Sequence, residues 1–251
     1  MDRWYEFNPG DNTEPKVQSV GYLTYDDKYF YAGFEFSDPD PRAIKAPFGD
    51  HDFMPAYADF GGMFLDTRND GHTAFEFEVS AHNIQFDAIM DDAAGENASP
   101  DFFWESATRI TDRGWTLEIR VPFSSLRYTH ADPQTWGIML YRNYPREFRY
   151  QFISARQPRG SQCFVCREGL LQGFERLPAG GHIVAAPHVF ASDTAYPANA
   201  LGSRLVNGPV SAPRPGPISR KVCAAPGATT RMTLSTHARS RKCCPKRLLA
   251  R

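Results

Sequence analysis

Apolar and polar residues alternate along many short stretches of the chain, most clearly at residues 114–122. The apolar positions there fall on every second residue: Trp115, Leu117, Ile119 and Val121. A period of two predicts a β-strand with one buried face. Pro122 has no N–H for the ladder, so the strand is predicted to end there, with Phe123 and Leu126 folding over one end of the core as an apolar plug.

The same alternation predicts eight more strands, at residues 17–25, 28–36, 60–65, 73–79, 84–90, 102–110, 136–142 and 148–153. About nine short strands with turn residues at close intervals predict an all-β fold, an antiparallel immunoglobulin-like or jelly-roll β-sandwich. Within residues 73–79 the apolar side chains are predicted to face the core, and Glu76 and Glu78 to lie on a solvated surface.

Two consecutive segments, GWTLEIRVPFSSLRY and WGIMLYRNYPRE, resemble the late strands of the family 9 carbohydrate-binding-module-like domain. The earlier segments YDDKYFYAGFEFSDPDP, DFGGMFLDTRNDGHTAFEFEVS and NIQFDA fit the same pattern in the same order, so the resemblance covers residues 4–188. A version of this domain opens a family of bacterial outer-membrane proteins of undefined function, ahead of a long β-barrel. The resemblance therefore implies a carbohydrate-binding sandwich in the cell envelope (periplasm or outer membrane), with a C-terminal outer-membrane barrel as its partner in the intact protein.

The resemblance also divides the chain. Residues 1–158 are expected to form the sandwich, and because the family begins earlier than Met1, we expect a truncated start with the first strand missing. Residues 159–211 are expected to be a linker and the start of a truncated barrel region. Cys163 and Cys166 lie in this linker, where an oxidising compartment favours a local disulfide over half of a zinc site.

Residues 212–251 differ in composition from the rest of the chain. They hold ten Lys or Arg, no Asp or Glu, and no Phe, Tyr or Trp. Such a stretch cannot bury enough apolar surface to fold, so a disordered tail is predicted. Its richness in Arg, Pro, Ala and Ser is what a GC-rich gene gives when read out of frame. Residues 1–211 carry 18 basic and 29 acidic side chains, and this acidic balance argues against nucleic acid as a partner.

No apolar run reaches the about 18 residues that a membrane-spanning helix needs. The N-terminus lacks a basic segment followed by an apolar one, so no signal peptide is predicted in this chain. The envelope location therefore depends on the resemblance alone.

Aromatic rings are the first candidates for a sugar site, because a ring face can stack on the apolar face of a pyranose. Trp115 and Trp136 take inward-facing strand positions and are predicted to be core residues. Trp104 follows a polar loop and is the main stacking candidate, with Trp4 and Tyr57 as further ones. Family 9 modules clamp a sugar between two rings, and the sequence does not identify such a pair.

Candidate metal ligands cluster in the loop DTRNDG. Asp66, Asn69 and Asp70 offer the oxygen atoms that Ca²⁺ prefers, and the resemblance adds weight because family 9 modules carry calcium. Asp52 and Asp87 are expected as further ligands. The alternative is a hairpin loop whose Asp and Asn side chains cap their own backbone.

No arrangement of nucleophile and base stands out, although paired glutamates such as Glu76 and Glu78 would suit a glycosidase. The first hypothesis is therefore a non-catalytic carbohydrate-binding domain of a cell-envelope protein, with Ca²⁺ as its one expected cofactor. One alternative is a structural or interaction domain of an outer-membrane barrel protein that binds no sugar. The other is an accessory domain of a glycan-degrading hydrolase.

Overall fold

The computed structural model of the protein describes residues 1–158, 160–161 and 163–178. The predicted tail at 212–251 and most of the predicted linker and barrel region lie outside the described residues. Twelve strands occur in the described part: β1 (Tyr5–Asn8), β2 (Ser19–Tyr25), β3 (Tyr29–Ser37), β4 (Phe60–Asp66), β5 (Thr73–Ser80), β6 (Gln85–Asp91), β7 (Gly95–Asn97), β8 (Glu105–Thr111), β9 (Gly114–Pro122), β10 (Gln134–Pro145), β11 (Arg149–Ile153) and β12 (Gly169–Phe174). Within it, none of the helices is long and apolar enough to cross a membrane.

The strands form two antiparallel sheets, which confirms the predicted all-β sandwich. The small sheet has the order β2-β3-β9-β8. The large sheet has the order β1-β11-β10-β4-β5-β6-β7, and β12 pairs with β10 as an eighth strand. Each strand is antiparallel to its neighbours.

Three observed strands are absent from the sequence prediction. β1 and β7 have four and three residues, too few for an alternating pattern to show. β12 lies beyond residue 158, where the sequence analysis places the end of the sandwich. It belongs to the large sheet because β10 is twelve residues long and pairs along one edge with β11 at residues 141–145 and with β12 at residues 134–138.

The apolar core fills the space between the two sheets. Trp115 and Trp136 are 1% and 0% exposed, as predicted. Phe36 of β3 meets the Trp115 ring with centroids 4.6 Å apart. The strand β9 ends at Pro122, and Phe123 in the following 3-10 turn is buried against Trp136, so the predicted plug is confirmed at this end.

A buried arginine fastens the two sheets to each other. Arg142 of β10 is 0% exposed, and its guanidinium donates to the backbone oxygens of Gln18 at 3.1 Å and Ser37 at 2.9 Å. Burial lowers its pKa to about 10. Next to it, Arg146 forms ion pairs with Asp38 and Asp59, two carboxylates that are themselves buried. These contacts also fix the start and the end of the loop between β3 and β4.

The outer face of the large sheet, turned away from the small sheet, is also buried. All seven residues of β4 are buried, and the side chains of Phe60 and Phe64 pack there with Tyr141 of β10. Loops cover this face rather than a third sheet: Ala58 reaches it from one side and Val165 from the other. The loops over this face carry the candidate sites.

Candidate functional site

The loop that joins β3 to β4, residues 38–59, folds over one end of the large sheet. Near its end, the Lys45 N–H donates to Oδ2 of Asp59 at 2.7 Å. In its middle, the Asp52 N–H donates to the carbonyl oxygen of Gln85 at 3.0 Å. Gln85 is the first residue of β6, so the loop is held where β4 and β6 begin and β5 ends.

Two phenyl rings of this loop stand in solvent beside a cavity. Phe48 is 86% exposed and stacks on the His82 ring, with centroids 4.6 Å apart and planes at 22°. Phe53 is 43% exposed, and its ring lies so close to Gly49 that an added Cβ would come within 2.2 Å of it. The cavity has a volume of about 400 Å³ and is lined by the residues called here the 48–53 surface: Phe48, Gly49, Asp50, His51, Asp52 and Phe53.

Hydrogen-bonding groups line the same cavity. His51 places Nδ1 3.0 Å from Oδ1 of Asp52 and Nε2 3.5 Å from Oδ1 of Asp87. Asp101 lies beside this lining, because ligand atoms of His51, Asp52 and Asp101 all lie within 4.8 Å of one another. An imidazole among carboxylates supplies both donors and acceptors for hydroxyl groups. Rings and polar groups together make this surface the candidate site.

Asp87 lies beneath this surface and fixes Trp104. Its Oδ1 accepts from the Trp104 indole N–H at 3.0 Å, and its Oδ2 accepts from the Phe102 N–H at 2.8 Å. Burial raises the pKa of Asp87, and the two hydrogen bonds oppose that shift. Asp87 therefore acts as a structural hydrogen-bond acceptor. Its bond to the indole N–H explains why Trp104 is buried although a polar loop precedes it in the sequence.

Two of the three predicted stacking residues are core residues. Trp104 is 6% exposed and meets Phe77 at 5.2 Å. Trp4 is 5% exposed and meets Phe36 edge-on at 6.3 Å. A ring without a free face cannot stack on a sugar, so the predictions for Trp104 and Trp4 are wrong. Tyr57 is 56% exposed in the same loop as the 48–53 surface, and its role stays a prediction.

The hairpin loop after β4 uses its carboxylates internally. Asp66 accepts from the Arg68 N–H at 3.1 Å and the Gly71 N–H at 2.8 Å. Asp70 accepts from the His72 N–H at 2.9 Å and the Thr73 N–H at 3.1 Å, and Asn69 takes the left-handed conformation with φ of 51°. These are the contacts of a self-capped turn, the alternative reading. The carboxylates of Asp66 and Asp70 thus accept hydrogen bonds from the loop backbone, and calcium binding at this loop stays a prediction.

The five predicted calcium ligands are not brought together. Asp66, Asn69 and Asp70 lie at the end of the large sheet where β4 ends and β5 begins. The backbone of Asp52 bonds to Gln85 at the opposite end of these strands. Asp52 instead joins His51 and Asp101, a group that the sequence analysis did not assemble because Asp101 lies far along the chain from the other two residues.

Glu168 is a buried carboxylate beside the hairpin loop. Both of its oxygens are buried without a hydrogen-bond partner among the described residues. A Cβ added at Gly137 would lie 2.6 Å from Oε2 of Glu168 and 3.1 Å from Cβ of Asp66, so both side chains pack over this glycine. Burial first, then the charge of Asp66, raises the pKa of Glu168 to about 8. The loop that carries Glu168 is closed by a disulfide bond between Cys163 and Cys166.

Glu76 and Glu78 are buried, so the prediction of a solvated surface is wrong. They are 3% and 5% exposed. The alternation of β5 does point them away from the core between the sheets, but the outer face that receives them is itself covered. Burial raises the pKa of both. The charges of Glu78 and Glu96 add to the shift of Glu76, and the charge of Glu96 adds to the shift of Glu78, which Arg149 opposes.

A larger groove of about 830 Å³ runs along the N-terminal segment. It is lined by both signs of charge, including Arg3, Glu14 and Lys16. Tyr5 is the half-buried ring in its lining, and the Arg156 guanidinium covers it with 4.9 Å to the ring centre. With that ring face taken by an arginine, this groove offers less to a sugar than the 48–53 surface.

No protein-family profile and no curated protein matches the chain. Among solved structures, it is similar to a candidate carbohydrate-binding protein from Bacteroides uniformis ATCC 8492 (9% identity, 68% of this chain and 85% of that chain, TM-score 0.55). It is also similar to a family 9 carbohydrate-binding module from Caldicellulosiruptor kristjanssonii in complex with cellotriose (15% identity, 72% of this chain and 89% of that chain, TM-score 0.48). A third structure is a family 9 module from the same organism in complex with glucose (14% identity, 73% of this chain and 87% of that chain, TM-score 0.43). At 9% identity the likeness to the Bacteroides protein shows the fold, which is the sandwich that the sequence resemblance predicts.

Proposed function

We propose that the chain is a non-catalytic carbohydrate-binding domain and that the 48–53 surface is its sugar site. The observation that carries this proposal is the pair of exposed rings, Phe48 and Phe53, on the cavity that His51 and Asp52 also line. Phenyl rings exposed to this extent on a polar loop add little to the free energy of folding. Held by the backbone bond from Asp52 to Gln85, they are positioned before a ligand arrives.

The chemistry of the surface suits a pyranose. A ring face of Phe48 or Phe53 would cover the C–H face of the sugar. The imidazole of His51 and the carboxylates of Asp52 and Asp101 would exchange hydrogen bonds with its equatorial hydroxyl groups. The cavity of about 400 Å³ is at the lower end of ligand pockets, which suits one or two sugar rings rather than a long chain.

Calorimetric titration of the full chain with glucose, cellotriose and a panel of other soluble oligosaccharides tests this site. Phe48→Ala and Phe53→Ala should each weaken binding at least about tenfold, the loss of about 1.4 kcal/mol per ring contact. Phe148→Ala is the matched control, because Phe148 is 63% exposed and lies in the turn between β10 and β11. Equal affinity in all three variants, or no binding by the wild type to any sugar, contradicts the proposal.

The domain is proposed to act by binding alone. The two glutamates that would suit a glycosidase are buried two residues apart on one strand, and neither lines the cavity of the 48–53 surface. Incubation of the full chain with the oligosaccharide that it binds should release no new reducing ends. Hydrolysis that Glu76→Gln abolishes would instead place the chain among glycan-degrading enzymes.

A second candidate function, an interaction domain without sugar binding, is favoured by one apolar groove. The groove runs between the edges of β2 and β12 and is lined in part by Leu23, Leu170 and Leu171. Leu170 is 64% exposed and Tyr22 is 55% exposed there. Leu170→Asp should leave sugar affinity unchanged if the 48–53 surface is the site, and it should abolish association with a protein partner if this groove is the functional surface.

The cell-envelope context belongs to the proposal as well. We infer it from the sequence resemblance to domains that precede an outer-membrane barrel, and the disulfide between Cys163 and Cys166 fits an oxidising compartment. Fractionation of the source cells with an antibody against this domain checks it. Recovery in the cytosolic fraction alone, with both cysteines reduced, would remove the envelope assignment.

A further inference from the structure

A histidine and two aspartates meet at the edge of the 48–53 surface. Ligand atoms of His51, Asp52 and Asp101 all lie within 4.8 Å of one another. His51 and Asp52 are neighbours in the loop between β3 and β4, and Asp101 lies in the loop between β7 and β8. Two separate loops thus bring one imidazole and two carboxylates to the same place.

The contact between His51 and Asp52 is not a hydrogen bond. Nδ1 of His51 lies 3.0 Å from Oδ1 of Asp52, but this oxygen is buried and has no hydrogen-bond partner among the described residues. The distance suits a hydrogen bond, whereas the direction does not. Two ligands that each lie ~2.0–2.1 Å from one tetrahedral ion are ~3.3 Å apart, so the observed spacing is close to that of two ligands of the same ion.

Asp87 lies on the other side of the imidazole ring. Its side chain is 0% exposed, and its Oδ1 lies 3.5 Å from Nε2 of His51. A histidine that binds a metal through one ring nitrogen commonly directs the N–H of the other nitrogen to a carboxylate, which fixes the ring and its tautomer. A proton on Nε2, facing Asp87, leaves the lone pair of Nδ1 on the side of Asp52.

The backbones of both aspartates are anchored on β6. Oδ2 of Asp87 accepts from the N–H of Phe102, the residue after Asp101, at 2.8 Å. The Asp52 N–H donates to the carbonyl oxygen of Gln85 at 3.0 Å. Gln85 and Asp87 both belong to β6, so one strand holds the three side chains near one point before an ion arrives.

We propose that His51, Asp52 and Asp101 bind a Zn²⁺ ion at the edge of the 48–53 surface. Zn²⁺ takes imidazole nitrogen and carboxylate oxygen as ligands, and a site with three protein ligands leaves a fourth position for water. The imidazole favours Zn²⁺ over Ca²⁺ and Mg²⁺, which prefer oxygen ligands. The side chains of His51 and Asp52 are 46% and 36% exposed, so a hydrated ion reaches them from solvent.

The zinc site adjoins the proposed sugar site and shares its polar side chains. With zinc bound, the fourth position would take a water or a sugar hydroxyl, a consequence that rests on the proposed function. Zinc binding itself does not rest on it, because the three ligands come from the protein and the affinity is measured without sugar.

Calorimetric titration of the chelator-treated full chain with Zn²⁺ and, separately, Ca²⁺ tests the site. All proteins in the test carry Cys223→Ser, Cys243→Ser and Cys244→Ser, because thiolates also bind zinc. This reference protein should bind one Zn²⁺, more tightly than Ca²⁺. His51→Asn and Asp101→Asn should each weaken Zn²⁺ binding at least about tenfold, since even residues that only orient a metal ligand are worth about that much.

The matched controls are His130→Asn and Asp112→Asn, an exposed histidine and an exposed aspartate outside the group. Both should bind zinc as the reference protein does. Near-UV circular dichroism checks that each variant is folded. If His51→Asn fails that check, Asp101→Asn decides, because Asp101 is exposed in a loop.

Three outcomes overturn the proposal: no Zn²⁺ binding by the reference protein, tighter binding of Ca²⁺ than of Zn²⁺, or unchanged Zn²⁺ affinity in both His51→Asn and Asp101→Asn. Titration of the same protein with oligosaccharides in chelator separates this site from the sugar site. Zinc binding without sugar binding would support the metal site and contradict the proposed function.

Discussion

The two faces of the large sheet are both buried, but they are buried by different means. The inner face packs against the small sheet through rings such as Trp136 and Phe77, both 0% exposed. The outer face is covered by two loops, and it holds Glu76 and Glu78 among its apolar residues. The inner face holds the buried Arg142, whose guanidinium donates to the backbone oxygens of Gln18 and Ser37. The outer face buries Glu76, whose Oε2 has no hydrogen-bond partner among the described residues.

The difference shows what each kind of cover requires. A sheet packed on a sheet needs complementary apolar surfaces along the full length of its strands. A face covered by loops needs only scattered apolar contacts, which leaves room for polar groups that serve a ligand. The candidate sites accordingly lie on or beside the outer face, whereas the inner face carries the stability of the fold.

The largest expected effect is in the core between the small sheet and the inner face of the large sheet. Trp115→Ala should lower the free energy of unfolding by about 3–5 kcal/mol, because the cavity left by a fully buried indole cannot collapse between two sheets. Tyr22→Ala on the same small sheet, where the ring is 55% exposed, is the control and should cost far less. Chemical denaturation measures both. Equal denaturation midpoints for the two variants would show that Trp115 is not more important for stability than the exposed Tyr22.

A smaller effect of opposite sign is expected on the outer face. Because the pKa of Glu76 is raised on folding, the folded state holds the proton more tightly, and stability is lost as pH rises above the ordinary glutamate value. Glu76→Gln removes this loss, so the metal-free variant should be more stable than the wild type by about 1–3 kcal/mol at pH 9. Thermal melts in chelator at pH 5 and pH 9 measure it. A variant less stable than the wild type at both pH values would show that Glu76 has a partner in the fold.

Glu168 should give a similar but separable pH dependence. Its pKa is raised to about 8, so its contribution to stability is present below the ordinary value near 4.5 and is lost as pH rises through 8. The wild-type melting temperature should fall between pH 5 and pH 9, and Glu168→Gln should flatten that fall. If the two melting profiles run parallel, the Glu168 carboxyl is not buried as described.

The smallest effect on stability is expected at the 48–53 surface. Phe48→Ala should change the free energy of unfolding by no more than about 0.5 kcal/mol, because 86% of the residue is already in water. The same variant should lose sugar affinity. A destabilisation above about 2 kcal/mol in denaturant melts would make Phe48 a structural residue and remove the main reason for assigning it to a binding site.

The core between the two sheets could be predicted from the sequence because its pattern is local. The alternation in residues 114–122 locates β9, the buried Trp115 and the stop at Pro122, all as observed. The other eight predicted strands could be located for the same reason. The strands β1 and β7 are too short to show an alternating pattern. The strand β12 has no clear alternation, and it pairs with the sheet only because β10 is unusually long.

The outer face could not be predicted, because its cover comes from residues far away in the chain. Ala58 and Val165 bury the same face as Glu76, and nothing in the sequence around Glu76 records them. The aromatic candidates failed in the same way: Trp104 looked exposed beside a polar loop, but Asp87, 17 residues earlier, draws its indole inward. Phe48 and Phe53 lie in a loop without periodicity. The one indication of a site in the sequence there is the run FGDHDF, in which two aromatic residues enclose polar ones.

The pKa of Glu76 tests the contrast between the two faces most directly. Carbon-13 NMR of the glutamate carboxyl carbons in chelator-treated protein, with Glu76→Gln for assignment, follows each group from pH 3 to pH 11. The account predicts that the Glu76 signal titrates well above pH 7. If Glu76 titrates near the ordinary value of 4.5, the outer face is solvated, and the account of a loop-covered face is contradicted.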